Sequence, residues 1–207
     1  PAYDQIVTQL AKMHARTRGA ENLPVVIRVP YGGGIGSPEH HSESPEAVFA
    51  HHAGLKIMSP SNAHDAFWMI QEAIHSPDPV MYFEPKRRYW LRGEVDEANR
   101  GLDPYSAQIV RPGTDLTLVT YGPLVPTAMD VAAAAEEEGK SLEVIDLRGI
   151  NPIDFSVIED SVKRTGRLVV THEAPVFLGL GSEIAARITE RCFYNLEAPV
   201  IRVGGFH

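Results

Sequence analysis

Apolar residues in the first ninety positions alternate between helical and extended spacing. Over positions 3–13 they recur every three or four residues, which predicts an amphipathic helix from about Ala2 to Gly19. Ser44, as a cap ahead of Pro45, predicts a second helix that stops near Gly54. A third helix, with Ser61 or Asn62 as its cap, is predicted to Ile74, and strands are predicted over 24–30, 55–58 and 80–83.

The predicted sheet of this half has an edge that needs a covering segment. With only three strands, it would present unpaired backbone groups along that edge. Either further N-terminal strands are missing from this chain, or a partner supplies the cover.

The second half shows a regular alternation of strands and helices after a charged stretch without periodicity. That stretch, rich in glycine and proline, predicts a linker over 91–110 between two domains, 1–90 and 111–207. Strands joined by helices of this length imply right-handed crossovers, and hence a parallel sheet covered on both faces. We therefore predict a three-layer α/β domain, with strands over 115–121, 142–146, 167–171 and 199–203 and helices over 124–138, 155–165 and 182–191.

Composition narrows the class of protein further. A chain of 207 residues that is 43% hydrophobic and 22% charged is typical of a folded globular protein. The net charge of −8, with one short basic run at 86–88 that is predicted to be a solvated strip, argues against nucleic-acid binding. The single cysteine, Cys192, and the lack of a signal peptide or long apolar run predict a cytoplasmic protein without a membrane segment.

The densest group of reactive side chains lies over residues 40–46, between a glycine-rich turn at 32–36 and a predicted helix start. The positive end of that helix dipole disfavours an imidazolium, so a histidine here would be a neutral ring that exchanges protons near pH 7. Because adjacent residues point in different directions, at most one of His40 and His41 faces a given site. Spacing alone leaves open that both are surface histidines.

Three other groups of residues carry weaker signals. Zinc binding by His51, His52 and His64 lacks any pair at ligand spacing, and the turn at 32–36 lacks the lysine and hydroxyl of a phosphate-binding loop. Residues 179–181 are interpreted as a close strand-to-helix turn rather than a dinucleotide motif. His172 and Glu173 end a predicted parallel strand where α/β sheets place ligands, although a structural role is equally consistent with the sequence.

Five segments of the chain carry a further signal: PAYDQIV (1–7), GGGIG with EHHSESPEA (32–47), AGLKIMSPSNAHDA (53–66), DPVMYFEPKRRY (78–89) and LEVIDLRGINPID (142–154). Taken in order, they resemble one family, the beta subunits of thiamine-diphosphate-dependent 2-oxo acid dehydrogenases. This resemblance implies a truncated transketolase-like pyrimidine-binding domain followed by a transketolase C-terminal three-layer α/β domain. It also implies that the chain is a fragment, inactive alone, because family members carry a preceding βαβ segment and further C-terminal residues.

The resemblance assigns the family's active-site histidine to His41. His40, Ser42 and Glu43 are implied to bind substrate or support the loop, and Glu43 departs from the family's more frequent glutamine. The cofactor implied is thiamine diphosphate with Mg²⁺, shared with an alpha subunit, and the glutamate that activates the aminopyrimidine is absent from this chain. Bound metal is unknown, since the structural potassium of some family members is held by backbone carbonyls.

The family also implies an assembly. Two alpha and two beta subunits form a heterotetramer that docks on a dihydrolipoyl acyltransferase core and acts on its lipoyl domain. The location is cytoplasmic in a bacterium, or the mitochondrial matrix in a eukaryote. The histidine loop is most similar to that of bacterial branched-chain enzymes, and pyruvate dehydrogenase is the nearest alternative. Other interpretations are a non-catalytic interaction module, a zinc hydrolase, and a single-chain relative such as transketolase.

Overall fold

The computed structural model describes residues 2–206, so the predicted domain ends at Pro1 and His207 lie outside the described residues. The α-helices are α1 (Ala2–Asp4), α2 (Ala11–Arg16), α3 (Glu46–Ala50), α4 (Ala63–His75), α5 (Val125–Glu137), α6 (Phe155–Thr165) and α7 (Leu180–Cys192), and a π-helical segment, Gln5–Leu10, joins the first two. The strands are β1 (Val26–Tyr31), β2 (Lys56–Met58), β3 (Val80–Pro85), β4 (Gln108–Arg111), β5 (Leu116–Thr120), β6 (Leu142–Asp146), β7 (Gly149–Asn151), β8 (Leu168–Pro175) and β9 (Ile201–Gly205).

The first sheet has the order β1-β3-β2-β7. Its first three strands are parallel, whereas β7 lies antiparallel to β2, with Ile57 opposite Asn151 and Met58 opposite Gly149. The edge of the sheet at β2 is therefore covered by another segment of this chain. The second half contributes this cover, whereas β1 forms the other edge of the sheet, for which cover by a further strand or a partner stays a prediction.

Two helix starts in the first half test the predicted caps. Asn62 caps α4, and its side-chain oxygen accepts a hydrogen bond from the Asp65 amide at 2.8 Å, as predicted for one of its two candidates. The predicted cap at Ser44 is wrong: Pro45 occupies the cap position of α3, and no side chain caps that helix. The helix is also shorter than predicted, with five residues, and the chain reaches β2 through Gly54. A side chain at Gly54 would collide with the backbone of α2, because its Cβ would overlap the Ala11 carbonyl group.

The second sheet has the order β4-β6-β5-β8-β9. Strands β5, β6, β8 and β9 are parallel, as predicted. Strand β4 pairs antiparallel with β6 at one edge and occupies the end of the predicted linker, so the linker prediction is wrong for residues 108–110. Leu118 and Val144 pack against α5, whereas the alternate residues Val119 and Ile145 share a cluster with residues of α6 and α7. Helices on both faces confirm three layers.

The apolar core is continuous between the two sheets. Ile57 and Phe83 of the first sheet belong to the same buried cluster as Val119 and Ile145 of the second. Burial of this apolar surface is the main source of stability and joins the two halves. No helix within 2–206 has the length and apolar character that crossing a membrane requires.

A buried polar network adds to this joint between the halves. The Arg148 guanidinium, almost fully buried, donates to Asp65 Oδ1 at 2.8 Å and to the Asp103 carbonyl at 2.7 Å. Ser61 Oγ donates to Asp146 Oδ2 at 2.6 Å. These contacts fix the loop between β6 and β7 to α4 and to the segment that precedes β4. Buried charged groups of this kind destabilise a fold when they lose their partners.

Candidate functional site

The predicted site residues lie on one segment, residues 32–45, which connects β1 to α3 and is called the histidine loop from here on. The Gly32 amide donates a hydrogen bond to the Glu43 carbonyl at 2.8 Å, so the two ends of the loop are held together. Ser42 Oγ donates to the Ser37 carbonyl at 2.8 Å, inside the loop. These bonds leave residues 38–41 as the exposed tip.

Both candidate histidines are at that tip. His40 and His41 are exposed, and the His40 Nε2 atom lies 3.8 Å from Glu39 Oε2. The backbone of His41 is held from the side, because Lys86 Nζ donates a hydrogen bond to its carbonyl oxygen. The imidazole of His41 is therefore presented to solvent on a backbone that is held in place. The assignment of a catalytic role to His41 stays a prediction.

The short basic run at 86–88 has a structural part that the sequence did not show. Arg88 donates to the Pro123 carbonyl through its Nη2 atom at 2.7 Å, and burial lowers the pKa of its guanidinium. The predicted solvated strip is therefore wrong for Arg88, whereas Lys86 lies at the surface and bonds to the loop there. The run lies in a 3₁₀ turn, Lys86–Arg88, directly after β3, so it can reach both the histidine loop and the second half.

The dipole of α3 acts only weakly on the two histidines. Helix α3 has five residues, and His41 lies five positions ahead of its first residue. The field of a helix end falls off within about one turn, and a helix this short has a small dipole. The exposure of His41 and the loop contacts, rather than α3, therefore set its surroundings.

A carboxylate from the second half lies directly beneath the loop. Glu173, near the carboxyl end of β8, accepts a hydrogen bond from the Gly33 amide at 2.6 Å through Oε1. A methyl group on Gly32 or Gly33 would lie 3.3 Å from a carboxylate oxygen of Glu173, so the two glycines let the carboxylate approach the backbone closely. The sequence placed Glu173 at a ligand-binding edge, but not against this loop.

Behind the loop lies a buried group of acidic and aromatic side chains. The hydroxyl of Tyr121 donates to Glu46 Oε1 at 2.6 Å, and burial raises the pKa of Glu46. The ring of Tyr121 is stacked against His172, whose pKa is lowered by burial. Burial, assisted by the charges of Glu46 and Glu173, also raises the pKa of the Tyr121 hydroxyl. Tyr121 is the residue that sequence reasoning missed, since a tyrosine after a buried strand carries no distinctive signal.

The remaining sequence candidates are not brought to this site. His52 Nε2 is hydrogen-bonded to the Tyr3 hydroxyl at 2.9 Å, and His64 Nδ1 accepts from the Asp96 amide at 3.3 Å. Between residues 2 and 206, no group of three or more histidine, cysteine, aspartate or glutamate side chains is arranged to hold a metal ion. Gly181 lies in the close strand-to-helix turn predicted from the sequence. A Cβ atom added there would lie 2.9 Å from His172 Nε2, so the backbone approaches that ring closely.

Two family models match this chain. Residues 3–90 match the pyrimidine-binding domain of transketolase, and residues 106–207 match the transketolase C-terminal domain. A solved structure of a split-gene transketolase, described as an inactive beta4 tetramer, has a TM-score of 0.72 and is 22% identical, and the match covers 94% of this chain and 64% of that one. At this identity, the likeness shows the fold alone.

Curated relatives match the chain over its full length. It is 57% identical to the pyruvate dehydrogenase E1 component subunit beta of Leifsonia xyli, and the match covers 61% of that protein. It is 54% identical to the 3-methyl-2-oxobutanoate dehydrogenase subunit beta of Mycobacterium tuberculosis, over 60% of that protein, and 40% identical to the 2-oxoisovalerate dehydrogenase subunit beta of Pseudomonas aeruginosa, over 63%. The chain thus spans about three fifths of the length of these relatives. It belongs to the transketolase-like family of pyrimidine-binding and C-terminal domains, among relatives that are beta subunits of 2-oxo acid dehydrogenases.

Proposed function

We propose that this chain is part of the beta subunit of a branched-chain 2-oxo acid dehydrogenase of the 3-methyl-2-oxobutanoate type. In this function, a 2-oxo acid is decarboxylated on thiamine diphosphate, and the acyl group is transferred reductively to a lipoyl group. The observation that carries the proposal is the histidine loop, whose tip exposes His41 while Lys86 and the Gly32 amide hold its backbone. The relatives named for this reaction support the same function.

His41 would move protons in this reaction. Reductive acylation needs a proton for the sulfur that leaves the lipoyl disulfide, and the 2-oxo acid carbonyl oxygen also gains and loses a proton. A ring nitrogen of His41 suits both tasks, because imidazole exchanges protons near neutral pH. Ser42 and Glu43 act through the loop, since Ser42 Oγ bonds to the Ser37 carbonyl and the Glu43 carbonyl accepts from Gly32.

The chain's own residues fit a cofactor that a second chain helps to hold. The sequence lacks the Gly-Asp-Gly and asparagine motif that binds the diphosphate and Mg²⁺, whereas the exposed tip of the histidine loop can face a cofactor held elsewhere. When bound, thiamine diphosphate supplies the carbanion-stabilising centre for decarboxylation. The role of this chain is then to present His41 and to keep the histidine loop in one position.

The proposed partners are an alpha subunit, in an α2β2 heterotetramer, and an acyltransferase core with its lipoyl domain. A bacterial protein of this kind would work in the cytoplasm.

The test is turnover by the full-length protein assembled with its alpha subunit. We expect reductive acylation of a lipoyl domain that requires thiamine diphosphate, with a higher kcat/KM for 3-methyl-2-oxobutanoate than for pyruvate. The 207-residue fragment, as the control, should show no turnover. A full-length assembly without thiamine-dependent turnover would instead indicate a non-catalytic interaction module.

Pyruvate dehydrogenase is the second candidate, and a specific observation favours it. The relative from Leifsonia xyli, at 57% identity, carries that name and is as similar to this chain as the branched-chain relative at 54%. A higher kcat/KM for pyruvate in the same assay would replace the branched-chain substrate and keep the reaction type.

A further inference from the structure

Glu173 has a role that neither the family match nor the relatives' names assign to it. It belongs to the C-terminal domain, yet its carboxylate contacts the glycine turn that begins the histidine loop, 140 positions earlier in the chain. We propose that Glu173 is a positioning residue, which sets the position of the histidine loop, and thus of His41, from the second domain. This inference rests on the proposed function, because it concerns the placement of the proposed catalytic histidine.

The contact between Glu173 and the loop is a strong one. The Gly33 amide donates to Oε1 at 2.6 Å, and hydrogen bonds to an ionised carboxylate are about twice as strong as neutral ones. The other oxygen, Oε2, is buried without a hydrogen-bond partner among residues 2–206. Within the part of the chain that the structure describes, the hydrogen bond of this carboxylate therefore goes to the loop backbone.

The turn transmits this contact toward His41. Gly33 follows Gly32, whose amide holds the Glu43 carbonyl at 2.8 Å. A methyl group on Gly33 would also lie 3.6 Å from Ser42 Oγ, so Gly33 packs against the residue next to His41. A displacement of Gly33 away from Glu173 would therefore move Ser42 and Glu43, which follow His41 directly in the chain.

The close fit also explains why glycine is needed at the turn. A side chain at Gly33 would lie 3.3 Å from Glu173 Oε1, closer than ordinary contact, so either the carboxylate or the loop would have to shift. Proton transfer depends on distances of about 3 Å, and a small misplacement of the donor reduces the rate strongly. The cross-domain contact would therefore affect kcat rather than substrate binding.

The test uses three variants of the full-length protein assembled with its alpha subunit. Glu173→Ala removes the acceptor, Glu173→Gln keeps an acceptor oxygen of the same shape, and Glu190→Ala removes an exposed glutamate of α7 as the matched control. We expect E173A to lower kcat at least tenfold with KM for the 2-oxo acid changed less than twofold. E173Q should recover most of the activity, and E190A should equal the unchanged protein.

Hydrogen exchange supplies a readout that does not depend on turnover. In E173A, the amides of residues 32–43 should exchange at least tenfold faster, while those of β5 and β6 keep their protection. E173Q should restore slow exchange. If the unchanged assembly shows no thiamine-dependent turnover, the proposed function fails, and exchange still reports whether Glu173 holds the loop. Loop exchange or kcat unaffected by E173A, or an equal loss of kcat in E173Q, would overturn the positioning role.

Gly33→Ala disturbs the same contact from the other side. Alone, it should lower kcat several-fold, because its methyl group competes with the carboxylate for space. In the E173A background the competing group is gone, so the same substitution should change kcat less than twofold further. Full additivity of the two effects would show that Gly33 and Glu173 act independently, contrary to the proposal.

Discussion

At the scale of single residues, the proposed function depends on one exposed imidazole, that of His41, whose backbone is held by Lys86. We predict that His41→Ala in the full-length assembly lowers the rate of lipoyl acylation by about 100-fold or more, as expected for loss of a proton-transfer group. The fold should be unaffected, because the side chain is exposed. Acylation is measured by mass spectrometry of the lipoyl domain. His75→Ala, at an exposed position at the end of α4, is the control and should be neutral. An unchanged rate in H41A would remove this residue from the mechanism.

Lys86 makes a separate contribution at this scale, through the backbone of His41. Lys86→Met keeps the length of the side chain but removes the donor to the His41 carbonyl. Because the bond lies at the surface, we expect an effect of about 0.2–1 kcal/mol, and thus acylation slowed about 1.4- to fivefold. The measurement is single-turnover acylation, with the exposed Lys140→Met as a matched control. Equal rates for the two variants would mean that the bond does not restrain the loop.

At the scale of elements, hydrophobic spacing predicts those strands and helices whose burial decides their conformation. The bounds of α6 and β6 agree with the prediction, since each has a regular buried face or a continuous apolar run. Strand β7 has three residues and no periodicity, and it forms only because β2 offers an edge for pairing. Helix α3 is shorter than its pattern suggests because Gly54 must pass close to α2. Tertiary contacts, which the local sequence does not encode, decide these elements.

The connection between β6 and β7 carries the largest predicted effect on stability. Arg148→Met should lower the free energy of unfolding by about 3–5 kcal/mol, because it leaves the buried Asp65 carboxylate without its partner. Chemical denaturation measures this change. The double variant with Asp65→Asn should recover part of the loss, since it also removes the buried charge. Lys163→Met, which breaks an exposed ion pair with Asp160, is the control and should cost less than about 1 kcal/mol.

At the scale of the whole molecule, the joint between the two halves is what sequence reasoning could least predict. The histidine loop is evident from its residues, and Glu173 is evident as a residue at a sheet edge. Their contact joins positions 140 apart in the chain, and no local signal specifies it. The same holds for Ser61 and Asp146, which come from different domains. The domains share one apolar core, so their relative position is part of the site.

The buried Asp146 carboxyl group, at the contact between the two halves, makes the stability of the fold depend on pH. Burial raises the pKa of Asp146 to about 7 from 3.8, and this outweighs the hydrogen bonds from Ser61 and the Arg148 amide, which favour the carboxylate. The folded protein therefore binds a proton that the unfolded chain has already released above about pH 4. The contribution of Asp146 to the free energy of unfolding is fully present below the pKa that this group has in the unfolded chain. It falls as the pH rises toward 7, by at most about 1.4 kcal/mol per pH unit.

The substitution Asp146→Asn isolates this contribution, because the amide cannot ionise and still accepts hydrogen bonds. We expect the free energy of unfolding of D146N to exceed that of the unchanged protein by an amount that grows from about pH 5 to 7 and levels off above about pH 8. Urea denaturation at each pH gives the difference, and Asp130→Asn, at an exposed position on α5, should give a flat difference. A difference between D146N and the unchanged protein that stays constant across this pH range would mean that Asp146 is ionised in the folded state throughout. In that case the Ser61 hydroxyl and the Arg148 amide would hold an ionised carboxylate between the two halves at every pH tested.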